Sequence, residues 1–193
     1  MLLIGSNLAI LSTEDTSNVP GNRVAVRLNP SPHQKSGNPY APWTRSMLEK
    51  LDSLVQSGMT VFDFGAGNGI LALAAAALGA TEVVAIERGG IPSMMARANI
   101  STNNMGGIIT FHEGDFNQVV LPASADLVIA DLDDKETVKL AGSSATLKLS
   151  PGQHYLTMPE TAHIAEIDAA LVGLTLAEQV GVGDRWSRLD FTR

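Results

Sequence analysis

The segment "VFDFGAGNGILALAAAALGATEVVAIE", residues 61–87, leaves this chain few folds to choose from. An apolar run ends at Asp63 and Phe64, and glycines follow at 65, 67 and 69. An alanine-rich stretch then runs to Gly79, and a second apolar run closes on Glu87. The order reads as strand, tight turn, helix, strand, because glycine is the residue that enters left-handed backbone without steric cost. A helix opened by such a turn presents backbone N–H groups to a ligand. The ligand is not held by a GxxxxGK[ST] phosphate loop, since no Lys-Ser or Lys-Thr pair follows these glycines. The dinucleotide pattern G-x-G-x-x-G fails by one residue, with Ile at position 70.

The same alternation continues down the chain. Apolar runs at 59–64, 82–87, 107–112, 125–131 and 153–158 predict strands. Segments at 68–79, 90–103, 134–147 and 159–172 predict helices between them. A further helix is predicted at 42–57, from Met47, Leu48, Leu51, Leu54 and Val55, with Gly58 as its stop. Strands alternating with helices predict an α/β fold, a doubly wound, mostly parallel sheet with helices on both faces. The tail "LTLAEQVGVGDRWSRLDFTR" reads as strand, turn at 181–184 and strand, an antiparallel hairpin at or beside the sheet's edge. Seven strands result. Residues 1–41 form an N-terminal extension, with a turn at Pro20-Gly21, the strand-like "RVAVRLN" and the loop "PSPHQKSGNPYAP"; residues 42–193 form the main domain.

Three acids at strand ends narrow the ligand. Asp63, just before the first glycine, repels a pyrophosphate but suits a cationic group. Glu87 ends the next strand, where an acid accepts both ribose hydroxyls. Asp115, followed by Phe116 in "ITFHEGDF", is placed to take an adenine amino group. Each acid alone reads equally well as a helix-cap or strand-end carboxylate. Together they describe S-adenosyl-L-methionine better than NAD.

Composition agrees and excludes other classes. The net charge is −7, with 13 basic and 20 acidic residues and no Lys/Arg run, which disfavours a nucleic-acid substrate. No apolar run reaches membrane-spanning length, and "MLLIGSNLAIL" lacks a basic leader and cleavage site, so the expectation is a mature chain without signal peptide or membrane anchor. Cysteine is absent, which excludes disulfides and thiolate chemistry and fits a cytoplasmic setting.

The residues 61–87 resemble the first two motifs of class I S-adenosylmethionine-dependent methyltransferases, which implies a Rossmann-like sheet and that cofactor. More narrowly they resemble the bacterial enzymes that methylate large-subunit ribosomal protein eleven. The likeness runs through "MMARANISTNN" and "LKLSPGQHYLTMPETAHIAEIDAAL" to the Trp-containing "GDRWSRLDFTR", covering roughly residues 36–193. It implies cofactor contacts from Asp63, Gly65, Ala66, Gly67, Gly69, Glu87, Arg88, Asp115, Phe116 and Asp131. It also implies that the loop "HQKSGNPYAPWT" covers the cofactor through Gly37, Trp43 and Thr44, although for Trp43 packing its helix onto the sheet is the reading favoured over cofactor contact. "GILALAAAALGATEVVAIE" is similar to protein arginine methyltransferases too. That branch carries two glutamates after the fourth strand and a barrel beyond the sheet, and neither has a counterpart here. The ribosomal-protein branch usually has Asn at the position of Asp131 and a separate N-terminal recruiting domain, for which residues 1–35 are too short.

Methyl transfer from a sulfonium needs collinear positioning above all. Asp131, ending the fourth strand, is the expected catalytic residue, orienting or deprotonating an acceptor amine; the alternative is that it caps the helix starting near Asp133. Asp131, Asp133 and Asp134 also permit a metal-assisted diol O-methylation, but helix-terminal charge explains them without a metal, and none is assigned. His33, His112, His154 and His163 have no metal-ligand spacing. Three functions remain open: a methyltransferase acting on a protein amine, a small-molecule O- or N-methyltransferase, and a silent cofactor-binding module.

Overall fold

The structure is a computed structural model of the 193-residue chain and describes residues 1–30, 37–142 and 149–193. Part of the expected covering loop, with His33, and the end of the helix expected at 134–147 lie outside the described residues.

The larger sheet contains β4 (Thr60–Phe64), β5 (Glu82–Glu87), β6 (Ile109–Glu113), β7 (Ala125–Ala130), β8 (Leu149–Thr157), β9 (Thr175–Val182) and β10 (Trp186–Thr192). Their spatial order is β6-β5-β4-β7-β8-β10-β9. The first five neighbours pair in parallel, and β10 runs antiparallel between β8 and β9. This is the seven-stranded, mostly parallel sheet that the alternation predicted, with the hairpin at one edge. The chain winds outward from β4 through α2 (Ile70–Leu78) and α3 (Ile91–Thr102), then returns to the other side of β4 with β7. The direction of winding therefore reverses between β4 and β7, and a cleft opens there at the strands' C-terminal ends.

The pleat divides the core. Val61 packs with α1 (Pro42–Leu54) and α2, while Phe62 and Phe64 pack on the other face with α4 (Asp134–Ala141) and α5 (Ile164–Ala170).

A second sheet explains why α2 has no polar side. β1 (Leu2–Ile4), β2 (Leu8–Ser12) and β3 (Val24–Leu28) lie in that order, β1 antiparallel and β3 parallel to β2. They bury Ile4, Leu8, Ile10, Val26 and Leu28 in the same cluster as Met47, Leu48, Leu51 and the alanines of α2. Every residue from Ile70 to Ala76 is buried as a result. Each large apolar side chain in that layer contributes about 1.5–3 kcal/mol by leaving water.

Ion pairs fix α1 against the hairpin. Lys50 bonds Asp190 at 2.8 Å and Glu178 at 2.9 Å, and Arg188 donates to Ser46 O at 3.0 Å and to Glu178 at 2.9 Å. Trp43 near the start of α1 and Trp186 at the start of β10 are thereby held together, ring centres 6.3 Å apart.

Several expected boundaries move. α1 ends at Leu54, ahead of the expected 57 and of Gly58, because the backbone is already extended at Val55, and β6 starts at Ile109 instead of 107. β8 starts at Leu149, ahead of the 153 expected from the apolar run, because a register irregularity against β7 between Ala125 and Leu127 accommodates the extra length. The helix expected at 159–172 shortens to a 3-10 turn at Thr161–His163 followed by α5. Pro159 and Glu160 are instead drawn into an extended bridge with Trp186 and Ser187. None of the described helices is long and apolar enough to cross a membrane.

Candidate functional site

The glycine loop sits on the reversal between β4 and β7. Gly65, Gly67 and Gly69 have φ of +80°, +57° and +84°, so their alternate spacing follows from left-handed backbone at each. Gly65 has a second constraint, since a Cβ there would lie 2.4 Å from the Asp131 carbonyl oxygen. Gly65 and Ala66 donate to Ile86 O at 2.9 and 3.0 Å, and Gly67 donates to a Glu87 carboxylate oxygen at 2.8 Å. The loop is therefore clamped to the end of β5, and Gly69 begins α2.

Three carboxylates surround this loop. Asp63 is fully buried beneath it, and no described residue donates a hydrogen bond of ordinary geometry to either of its oxygens. Burial first, then the charges of Asp131 and Glu87, push its carboxyl up to about 8, opposed only by the nearby N–H of Ala72. Asp131 is half-buried, and burial with the Glu87 charge pushes it up to about 6. Its backbone N–H donates to Phe64 O at 3.1 Å, which docks the end of β7 on β4. Asp131 is not the cap of α4. Asp133 takes that role, accepting from the Glu136 N–H at 3.0 Å, so the Asp131 carboxylate is left for the cleft.

Two adjoining cavities open along the strand ends. The first, of about 340 Å³, is lined by Glu87, Arg88, Asp115, Phe116, Asp131 and Glu136 among others. Phe116 stands edge-on to Phe64 on its floor, ring centres 5.8 Å apart. Asp115 is exposed and caps the short turn at Phe116–Gln118, accepting from the Asn117 N–H at 2.9 Å, which holds its carboxyl below the usual range. Arg88 reaches across the cleft to Glu136 and, at 3.7 Å, to Asp133. The second cavity, of about 240 Å³, shares the Asp131–Asp133 strip with the first. Trp43, Leu132, Met158 and Trp186 give it apolar walls, and Asp131, Asp133, Asp134 and Glu160 give it acidic ones.

The family model described as ribosomal protein L11 methyltransferase (PrmA) matches residues 2–150. The chain belongs to the ribosomal protein L11 methyltransferase family. It is 34% identical over 129 residues to the protein of that name from Clostridium perfringens, across 67% of this chain and 40% of that one. The Chloroflexus aurantiacus protein of the same name is 34% identical over 154 residues, across 68% of this chain and 46% of the relative. The chain thus spans less than half the length of these two curated relatives. The crystal structure of a ribosomal protein L11 methylase from Lactobacillus delbrueckii subsp. bulgaricus has the same fold. It superposes with a TM-score of 0.82 at 21% identity, covering 99% of this chain and 96% of that one.

Within this member of the L11 methyltransferase family, the residues singled out from the sequence separate into groups. Gly65, Glu87, Arg88, Asp115, Phe116 and Asp131 line one cavity. Ala66, Gly67 and Gly69 form the loop beside it, and Asp63 lies under that loop without lining either cavity. Trp43 lines the second cavity against Trp186 and does not line the first. Thr44 is buried behind it, and Gly37 packs on Asn68 at the far side of the glycine loop. Neither of these two lines the first or second cavity.

Leu132, Asp133, Glu136, Met158 and Glu160 were not picked out as wall residues, because only the fold brings β8 and α4 to the cleft. Asn68 and Asn99 were missed as well, although the Asn99–Asn103 spacing in "ARANISTNN" was a visible signal of one helix face. Asp134, Glu160 and His163 come within 4.8 Å of one another beside the second cavity. Their charges are already answered inside the protein. His163 pairs with Asp134, which raises its pKa, and Arg185 pairs with Glu160.

Proposed function

We propose that the chain binds S-adenosyl-L-methionine and transfers its methyl group to an amine of a protein acceptor resembling ribosomal protein L11. The buried Asp63 carboxylate carries this reading. It has no hydrogen-bond partner among the described residues, and Asp131 and Glu87 press further negative charge on it. A pyrophosphate would worsen that repulsion, whereas a ligand with ammonium and sulfonium charges relieves it. The donor set thus fits the cofactor.

In this reading the first cavity takes the nucleoside. Its volume of about 340 Å³ is in the range of small-molecule sites. The hydrogen bond from Gly67 fixes the Glu87 carboxylate, which accepts the ribose hydroxyls. Phe116 packs on the adenine and Asp115 accepts from its amino group. When bound, the cofactor supplies a methyl group on a sulfonium whose leaving group departs neutral.

The second cavity takes the acceptor. Trp43, Trp186, Leu132 and Met158 suit an aliphatic stem, and the acids around them suit a cationic head. Asp131 is common to both cavities and is the catalytic residue of this scheme. It orients the amine and takes its proton, aided by a pKa of about 6, nearer neutrality than an ordinary carboxylate. The family membership supports the protein acceptor. Titration calorimetry with S-adenosylhomocysteine and with NAD tests the cofactor: the first binds and the second does not, and the reverse result overturns the reading. Tritiated methyl transfer tests the acceptor: label appears in L11 among ribosomal proteins, and label confined to small metabolites overturns that part.

A further inference from the structure

A chain of asparagines lies behind the glycine loop. Asn99, on α3, is fully buried. Its side-chain amide donates to the backbone carbonyl of Asn68, in the middle of the glycine loop, at 2.9 Å. Its side-chain oxygen accepts from the Asn29 backbone N–H at 2.8 Å and from the Asn29 side chain at 3.0 Å. The Asn68 side chain in turn donates to Gly37 O at 3.1 Å and accepts from the Ile70 N–H at 3.2 Å. Gly37 is pressed against that side chain so closely that a Cβ would lie 2.0 Å from the Asn68 amide oxygen. Gly37 is therefore tied to the side chain of Asn68, and Asn29 is tied to its carbonyl through Asn99.

We propose that Asn99 is a positioning residue for the cofactor loop: its amide holds the Asn68 carbonyl, and its oxygen ties Asn29 to that peptide, so that the loop is preorganised for its ligand. The carbonyl of Asn68 belongs to the peptide whose other end is the Gly69 N–H at the start of α2. Three left-handed glycines give the loop its turn and also give it freedom to leave that turn. A buried hydrogen bond to its middle removes that freedom before ligand arrives, and the binding free energy is then not spent on ordering. This inference rests on the preceding one only in the identity of the ligand.

Asn103 supplies the control. Four residues on, at the C-cap of α3, its oxygen accepts from the Arg27 N–H at 2.8 Å, and its amide donates to Arg27 O and Asn99 O, both at 2.7 Å. It docks β3 on α3 as Asn99 docks Asn29, yet has no hydrogen bond to the glycine loop. The experiment compares Asn99→Ala, Asn99→Asp and Asn103→Ala with wild type in the full chain, by S-adenosylhomocysteine titration, ligand-free melting and hydrogen exchange of the amides at 65–70. Asn99→Asp keeps the acceptor for Asn29 and loses the donor for Asn68, so it serves where the alanine variant does not fold.

Both Asn99 variants weaken S-adenosylhomocysteine binding about tenfold or more and speed exchange in the loop, as expected when a buried hydrogen bond is lost. Asn103→Ala melts earlier but changes affinity by less than about twofold and leaves loop exchange alone. Equal effects of the Asn99 and Asn103 variants on affinity and on loop exchange overturn the proposal. If wild type does not bind S-adenosylhomocysteine, the cofactor reading has failed, and the exchange comparison, which needs no ligand, still decides the role of Asn99.

Discussion

Asp63→Asn isolates the buried carboxylate that carries the functional reading. In the folded chain this group titrates at about 8 instead of the ordinary 3.8, because it is buried and faces Asp131 and Glu87. Below its ordinary value both the folded and unfolded chains hold the proton. Above that value the unfolded chain releases it while the folded chain keeps it, so rising pH drains stability until the folded group ionises as well. Within that window each pH unit costs about 1.4 kcal/mol. Allowing for partial ionisation near the folded midpoint, the wild type loses about 2 kcal/mol from this group between about pH 6 and pH 8. An amide carries no such proton. Asp131, at about 6, is half titrated at the lower edge of this range and is present in both proteins, so it does not separate their profiles.

Urea unfolding of both proteins across that range is the assay. The expected result is a stability difference that moves toward the variant by about 2 kcal/mol as pH rises. Saturating S-adenosylmethionine flattens the trend for the wild type, since a cation near Asp63 favours its ionised form and the unfolded group is already ionised in this range. Parallel pH profiles for the two ligand-free proteins refute the claim that Asp63 is protonated in the folded state.

Other substitutions test neighbouring parts. Glu87→Ala weakens S-adenosylhomocysteine binding by about 1–3 kcal/mol in calorimetry, the value of hydrogen bonds to a charged acceptor. Gly65→Ala costs at least about 1–3 kcal/mol in urea unfolding, from left-handed strain alone, and its Cβ also meets the Asp131 carbonyl. Asp190→Ala lowers stability by about 1.5–3 kcal/mol, because it removes one of the two carboxylates that Lys50 bonds and leaves Glu178 as the other. Trp43→Ala slows methyl transfer to the acceptor while leaving cofactor affinity within about twofold, since Trp43 lines only the second of the two cavities.

Much of the fold was written in short stretches of chain. The glycines at 65, 67 and 69 announce their left-handed turn wherever they occur, because the steric penalty they avoid lies within a residue or two. The strands and helices from 42 to 142 repeat apolar residues at periods that local geometry fixes, so their existence and order were legible. The boundaries at Leu149 and Pro159 were not, since a register irregularity against β7 and a bridge to Trp186 set them. In the site, Glu87 and Asp131 were legible as acids ending strands on either side of a reversal. That Asp133, two residues on, caps α4 was a matter of backbone angles, and the sequence left both acids eligible.

The amino-acid order alone therefore determined the alternation of elements, the tight turn and the acids at its edge, all consequences of forces that act over a few residues. The tertiary structure decided which charges meet. It buried Asp63 with no hydrogen bond of ordinary geometry from the described residues, sent Arg88 across the cleft to Glu136, and joined Arg188 to Ser46 over 142 positions of chain. It also set Asn99 behind the loop and brought Trp43 beside Trp186. Burial and Coulomb interactions depend on distance in space, and distance along the chain does not supply it.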